Sequence, residues 1–225
     1  MGIDWYDMIA RRNGGYRGRA VCTVVGRSAE DVFEERLVEM LPQYQSVLDA
    51  GCGHGEFTLR MSRHAEKIIG FDNSAEMIRI SQSLLESSET RNVEFVFATT
   101  KTQMPFQDGQ FDLIYDRRGP TSILEHPRIL ASGGTVFGIH TDVTHVRRRL
   151  SENGYMNVEI EEYNEAIIYF PNAHEFALNL SDTPGNPDYT LPEMKGELEA
   201  RIRENQIDGQ LGVREHKYIW KAMKA

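Results

Sequence analysis

Ser46-Val47-Leu48-Asp49-Ala50-Gly51-Cys52-Gly53-His54-Gly55-Glu56 is the stretch on which the reading of this chain turns. Val47 and Leu48 form a short apolar run with β character, three glycines alternate with other residues, and an amphipathic segment containing Phe57 and Met61 follows. The order is strand, tight turn, helix. Glycines at 51, 53 and 55 let the backbone approach a ligand where a Cβ would collide, and the helix start offers free N–H groups. A nucleotide-like ligand suits such a turn. A dinucleotide fingerprint would read G-x-G-x-x-G and receive a pyrophosphate. Here the third glycine comes one residue early, and Asp49 stands where it would repel a pyrophosphate and favour a cationic ligand. Glycine alternation by itself is common strand-to-helix punctuation; Asp49 and Cys52 make the run far more specific.

This run resembles the first motif of the class I S-adenosylmethionine-dependent methyltransferases, a hydrophobic pair followed by D-x-G-C-G-x-G. The match covers Val47, Leu48, Asp49, Gly51, Cys52, Gly53 and Gly55. The resemblance implies an α/β fold: a Rossmann-like doubly wound seven-stranded sheet, mostly parallel with a reversed final strand. It also implies S-adenosylmethionine as cofactor and places Asp49, Gly51, Cys52, Gly53 and Gly55 beside it.

Residues 67–72 (Lys-Ile-Ile-Gly-Phe-Asp) read as a second buried strand ending in an acid. Asp72 lies close to the ~20-residue interval at which nucleotide-binding βαβ units place the acid that binds ribose hydroxyls. Asn73 can cap the next helix with Glu76 three residues on, and Asn73 joins the cofactor set. Met77 stands where these methyltransferases often lay an apolar side chain on the adenine; plain core packing is the other reading. Residues 93–97 form a third strand, and 111–116 a fourth, after Met104-Pro105-Phe106. Phe111, Asp112, Leu113 and Ile114 match the family pattern, but the acid expected to meet the adenine amino group is missing, so Thr99 or Thr100 would have to replace it.

Asp116-Arg117-Arg118-Gly119-Pro120 follows the fourth strand, and in open α/β sheets ligands bind beyond the carboxyl ends of the strands. Asp116 is therefore placed with the cofactor, and Arg117 and Arg118 with the substrate, unless the two arginines are a solvated turn. Base-directed amino methyltransferases carry Asn/Asp-Pro-Pro-Tyr here, which this chain lacks. Arg128-Ile129-Leu130 and Gly133-Gly134 resemble the family's approach to strand five, which spans 135–140 and ends in His140. His140 is a candidate substrate contact and proton acceptor, Arg117 the other catalytic candidate, and a polar residue merely topping a strand the bland alternative. A helix over 143–150 and a strand over 158–163 follow.

Residues 1–27 carry five arginines and glycines at 14, 15 and 18, reading either as a solvated arm or as a cap closing over the ligand with Trp5, Tyr6 and Tyr16. A helix from Ser28 with Val32, Leu37, Met40 and Leu41 on one face leads into the glycine-turn strand. The chain is read as one methyltransferase domain, 1–225, with a cap segment over 1–45 and an insertion over 170–209 before a final strand at 213–223. Asn172 and Glu175 cap a helix in that insertion, and 192–205 form another.

The 225 residues fit one domain with a core of its own. A net charge of −9 disfavours a nucleic-acid footprint. The two cysteines, Cys22 and Cys52, support neither a disulfide framework nor a metal cluster. No apolar run approaches membrane length and no signal segment opens the chain, so no membrane partner and a cytoplasmic setting are expected. The expected function is methyl transfer from S-adenosylmethionine to a small-molecule acceptor, an anionic one where Arg117 or Arg118 meets it. RNA or protein methylation and a non-catalytic cofactor-binding module stay open as alternatives; a nicotinamide oxidoreductase is disfavoured by the glycine spacing. The sequence leaves the oligomeric state unknown.

Overall fold

The computed structural model describes residues 3–225; residues 1 and 2 of the anticipated cap lie outside them. In chain order the elements are α1 (Ile3–Asn13), β1 (Thr23–Val25), α2 (Ala29–Met40), β2 (Val47–Ala50), α3 (Glu56–Met61), β3 (Ile68–Asp72), α4 (Ala75–Glu86), β4 (Val93–Phe97) and β5 (Phe111–Arg117). They continue with β6 (Leu130–His140), α5 (Thr144–Glu152), β7 (Tyr155–Tyr163), β8 (Ile167–Tyr169), α6 (Ala173–Ser181), α7 (Lys195–Glu204), β9 (Gln206–Ile207), β10 (Gln210–Arg214) and β11 (Lys217–Lys224).

The main sheet has seven strands in the order β4-β3-β2-β5-β6-β11-β7. β2 pairs in parallel with both β3 and β5, and only β11 runs against its neighbours, β6 and β7. This is the doubly wound sheet with a reversed last strand that the sequence led us to expect. Strands buried on both faces need continuous apolar runs, and Val47, Leu48, Ile68, Ile69, Leu113 and Ile114 supply them with at most 4% exposure. Two large apolar clusters result, beside a small third one around Cys52, Ile78 and Phe95. In one, Phe33 of α2 stacks on Phe137 of β6 at 4.7 Å between ring centres; in the other, Leu48, Phe71, Ile114 and Trp220 meet residues of β6 and α5. The chain order reverses between β2 and β5, so their carboxyl ends open a crevice there.

The regions outside the motif differ most from expectation. The segment before Ser28 is not a solvated arm: α1 buries Ile9 and Ala10 at 1% exposure each, and α1 packs on α4. The cap is also shorter than 1–45, because α2 belongs to the core. The insertion is wider than 170–209. β8 and β10 pair with each other, and with β1 and β9 they build a second, four-stranded sheet in the order β1-β8-β10-β9. The last strand accordingly splits into β10 and β11, with Glu215 between them. Glu215 accepts from Ser28 Oγ and Ala29 N at the start of α2, and a carboxylate there interrupts the strand. Among the described residues, no helix is long and apolar enough to cross a membrane.

Candidate active site

Three glycines shape the turn after β2, each in the left-handed region, with φ of 81° at Gly51, 56° at Gly53 and 84° at Gly55. Their reasons differ. A Cβ at Gly55 would strike Phe95 at 2.6 Å and Ser81 at 2.7 Å, and one at Gly51 would strike Pro120 at 2.7 Å. Only Gly53 faces open space, with Tyr16 Cβ at 4.0 Å as its nearest neighbour. The expectation that all three glycines clear room for a ligand therefore narrows to Gly53; the other two permit close packing of the turn against β4, α4 and the loop after β5.

Asp49 also departs from expectation. It is 2% exposed and lies behind the turn, where Thr58 Oγ1 and Tyr115 Oη both donate to its Oδ2, at 2.6 and 2.8 Å. Burial pushes its carboxyl up to about 6, although the two hydroxyl bonds pull the other way. Cys52 is likewise buried and is not part of the lining of the cavity over the turn; burial, with Asp49 and Asp72 nearby, pushes its thiol well up.

A cavity of about 580 Å³ opens over the turn, within the ~300–1,000 Å³ usual for ligand pockets. Gly51, Gly53, Phe71, Asp72, Asn73, Met77 and Thr100 line one end. Asp72 is fixed by the backbone: Gly53 N donates to Oδ2 at 3.0 Å and Ser74 N to Oδ1 at 2.9 Å. Burial raises its carboxyl while those N–H bonds oppose the rise. The Ser74 contact shifts the helix start by one residue. Ser74, not Asn73, caps α4, its Oγ accepting from Met77 N at 3.1 Å, and Asn73 turns to the cavity instead. Thr100 reaches the cavity, its hydroxyl bonded to Ser122 at 2.6 Å, whereas Thr99 stands outside it and accepts from Lys101 N. Asp116 is fully buried below the cavity; Oδ1 accepts from Gly119 N at 2.6 Å, and Oδ2 has no partner among the described residues.

The roof comes from two distant segments. Tyr6, Ile9, Tyr16, Arg17 and Gly18 from the N-terminal side face Asn179 in the last turn of α6 and Asp182, Thr183 and Pro184 just after it. Asp182 joins them, accepting from Arg12 Nη2 at 2.6 Å, Arg19 Nη2 at 2.9 Å and Arg19 N at 3.0 Å. Trp5, Tyr6 and Tyr16 pack edge to face, with centroids 5.1–6.2 Å apart.

At the other end, Arg117, Arg118, His140, Thr141 and Lys217 line the wall. Arg117 Nε donates to Glu30 at 2.8 Å, and its guanidinium lies 4.4 Å over the Phe57 ring. His140 is engaged on both nitrogens. Trp220 Nε1 donates to Nδ1 at 3.1 Å, and Nε2 faces the Gly119 carbonyl at 3.2 Å and Asp116 Oδ1 at 3.4 Å. The ring is therefore the Nε2–H tautomer with its Nδ1 lone pair engaged by Trp220, and to accept a proton it has to give up that bond. Burial disfavours its charged form, yet Asp116 and the Gly119 carbonyl raise its pKa; full protonation would still require Trp220 to release Nδ1.

Lys217, Thr141 and the side chains of the 179–184 wall were not among the site residues singled out from the sequence. For Lys217 a signal existed: a reversed strand begins at the edge where its parallel neighbours end, and Tyr218 pairs with His140.

Comparison with known proteins agrees with this geometry. Residues 47–134 match the family model described as a methyltransferase domain. Over 106 residues, 43% of the chain, it is 33% identical to the demethylmenaquinone methyltransferase of Lactococcus lactis subsp. lactis, covering 42% of that protein. Over 78 residues, 34% of the chain, it is 32% identical to the 23S rRNA (uracil(1939)-C(5))-methyltransferase RlmD of Francisella tularensis subsp. novicida, covering 17% of it. The matches thus span well under two thirds of these curated relatives. In fold, the chain is similar to a functionally unknown protein from Deinococcus radiodurans R1, with a TM-score of 0.70, 23% identity and coverage of 99% of this chain and 100% of that one. Residues 47–134 are thus similar to a methyltransferase domain, and the chain as a whole shares the fold of the structure it resembles.

Proposed function

We propose that the chain transfers a methyl group from S-adenosylmethionine to a small-molecule acceptor that carries negative charge near its nucleophile. The observation that carries this reading is Asp72, pinned by Gly53 N and Ser74 N at the cavity floor beside the one glycine whose Cβ would enter the cavity. The carboxylate keeps acceptor capacity for two ribose hydroxyls. Met77, Phe71 and Ile9 offer apolar contact for the adenine, with Asn73 and Thr100 as polar partners. When bound, the cofactor's sulfonium supplies an electrophilic methyl. The chain's own residues then have to orient the acceptor and keep water out, and the two-sided roof of Tyr6, Tyr16 and residues 182–184 does both. No side chain on the cavity wall is assigned as a strong base, since the lone pair of His140 is taken by Trp220. The reduced, exposed Cys22 fits a cytoplasmic setting.

RNA methylation is the second reading, favoured by the likeness to the rRNA enzyme; the net charge of −9 and the roofed cavity weigh against it. Incubation with methyl-labelled S-adenosylmethionine and a metabolite extract, with RNA and protein fractions in parallel, tests the proposal. Label in a small molecule is expected. Label confined to RNA or protein refutes the acceptor class, and cofactor binding without label in any fraction points to a binding module.

A further inference from the structure

Arg117 and Arg118 both engage Glu30 through Nε, at 2.8 and 3.1 Å, and Lys217 Nζ reaches the same carboxylate at 2.8 Å. Lys217 also lies 2.7 Å from Glu215. The three cations line the cavity, whereas Glu30 and Glu215 stand behind them. Pairing through Nε leaves the terminal Nη groups of both guanidiniums without a hydrogen-bond partner among the described residues. Lys217 keeps one of its three N–H donors in reserve after its two carboxylate bonds. Burial alone would raise the Glu30 carboxyl, but Arg118, Lys217 and Arg117 hold it down to about 2, so the anchor stays ionised. The cluster carries one more positive charge than negative.

Unused donors on partly buried cations call for an oxygen acceptor. We propose that Arg117, Arg118 and Lys217 form an oxyanion subsite that holds a carboxylate or phosphate group of the methyl acceptor. This rests on reading the cavity as the methyl-transfer site, and it adds Lys217 and Glu30 to that site. Glu30 is the positioning residue: it fixes all three cations from behind, so little side-chain freedom remains to be lost when the anion arrives. The Phe57 ring under Arg117 fixes the plane of that guanidinium, which a bidentate contact requires.

Calorimetry separates this subsite from the cofactor site. S-adenosylhomocysteine is titrated into wild type, Arg118→Gln and Lys217→Met; benzoate and inorganic phosphate are then titrated into each loaded protein. Arg118 is the more exposed of the two, with 40% of its side chain accessible against 13% for Lys217, so its variant guards against loss of the fold. At least one anion is expected to bind the loaded wild type, and to bind about tenfold more weakly to either variant, while S-adenosylhomocysteine affinity stays within about twofold. The subsite is refuted if neither anion binds, or if the variants bind it as well as wild type. It is also refuted if the variants lose S-adenosylhomocysteine affinity instead, because the cations then serve the cofactor's own carboxylate. Failure of the wild type to bind S-adenosylhomocysteine at all removes the functional reading and the subsite together; the other outcomes leave that reading standing.

Discussion

Trp220 Nε1 donates to Nδ1 of His140 across 3.1 Å, and this bond fixes the protonation of the one imidazole at the acceptor end of the cavity. It rests on the reversed strand: β11 runs antiparallel to β6, with Trp220 opposite Gly138. A Cβ at Gly138 would meet the indole at 2.2 Å, so the absence of a side chain there lets the indole lie across β6.

A histidine that serves as general base contributes about 10²–10⁴-fold to rate. His140→Gln is therefore expected to retain kcat to within about tenfold, and a loss beyond about a hundredfold would show that the ring does move a proton. Trp220→Phe frees Nδ1 to take a proton while Nε2 stays beside Asp116, so the His140 pKa, followed by NMR, should rise above its wild-type value. An unchanged titration would mean that the indole does not control the ring.

Asp49 makes a pH prediction. Its folded carboxyl titrates at about 6, above the ordinary 3.8, so it holds its proton more tightly folded than unfolded. Its contribution to stability is thus fully present below about pH 4 and is lost as pH rises through about 6. Asp49→Asn keeps an oxygen for Thr58 and Tyr115 but never ionises. Without ligand, the stability of the variant relative to wild type should improve between about pH 3 and pH 8, by at most about 3 kcal/mol. A relative stability that falls over that range would show that the buried charge is compensated after all.

Asp182 ties the N-terminal segment to the end of α6. Asp182→Ala leaves Arg12 and Arg19 without that carboxylate, and the tie is partly exposed, with 29% and 31% of the arginine side chains accessible. The stability cost is accordingly expected to be about 1 kcal/mol or less. The larger effect should fall on the roof: faster amide exchange over residues 14–20 and faster release of S-adenosylhomocysteine. Unaltered exchange and release would mean that the roof is held by its apolar contacts alone.

The central strands and the glycine turn were legible because the reasons for them are local. Val47, Leu48, Ile68 and Ile69 must be buried on both faces, and Gly53 and Gly55 adopt backbone angles that other residues resist. Asp72 was legible for the same reason, since it ends a strand at a fixed distance from the turn. Asp49 was misjudged because its partners, Thr58 and Tyr115, lie 9 and 66 positions away and only the fold brings them to it. The helix start after Asp72 moved because a carboxylate at strand end competed with the Asn73 cap for the backbone. Glu30 and the second sheet depend on pairings across nearly the whole chain, as between Glu30 and Lys217, 187 positions apart, and no local pattern announces them.

Calorimetric titration of S-adenosylhomocysteine into wild type, Asp72→Ala and Gly53→Val tests the central claim most directly. Wild type should bind. Asp72→Ala should lose several kcal/mol, since each charge-assisted hydrogen bond to a ribose hydroxyl contributes about 1.5–3 kcal/mol. Gly53→Val should abolish binding by filling the one open face of the turn. Equal affinity in all three proteins, or tight binding of NAD by wild type in place of S-adenosylhomocysteine, would contradict the assignment.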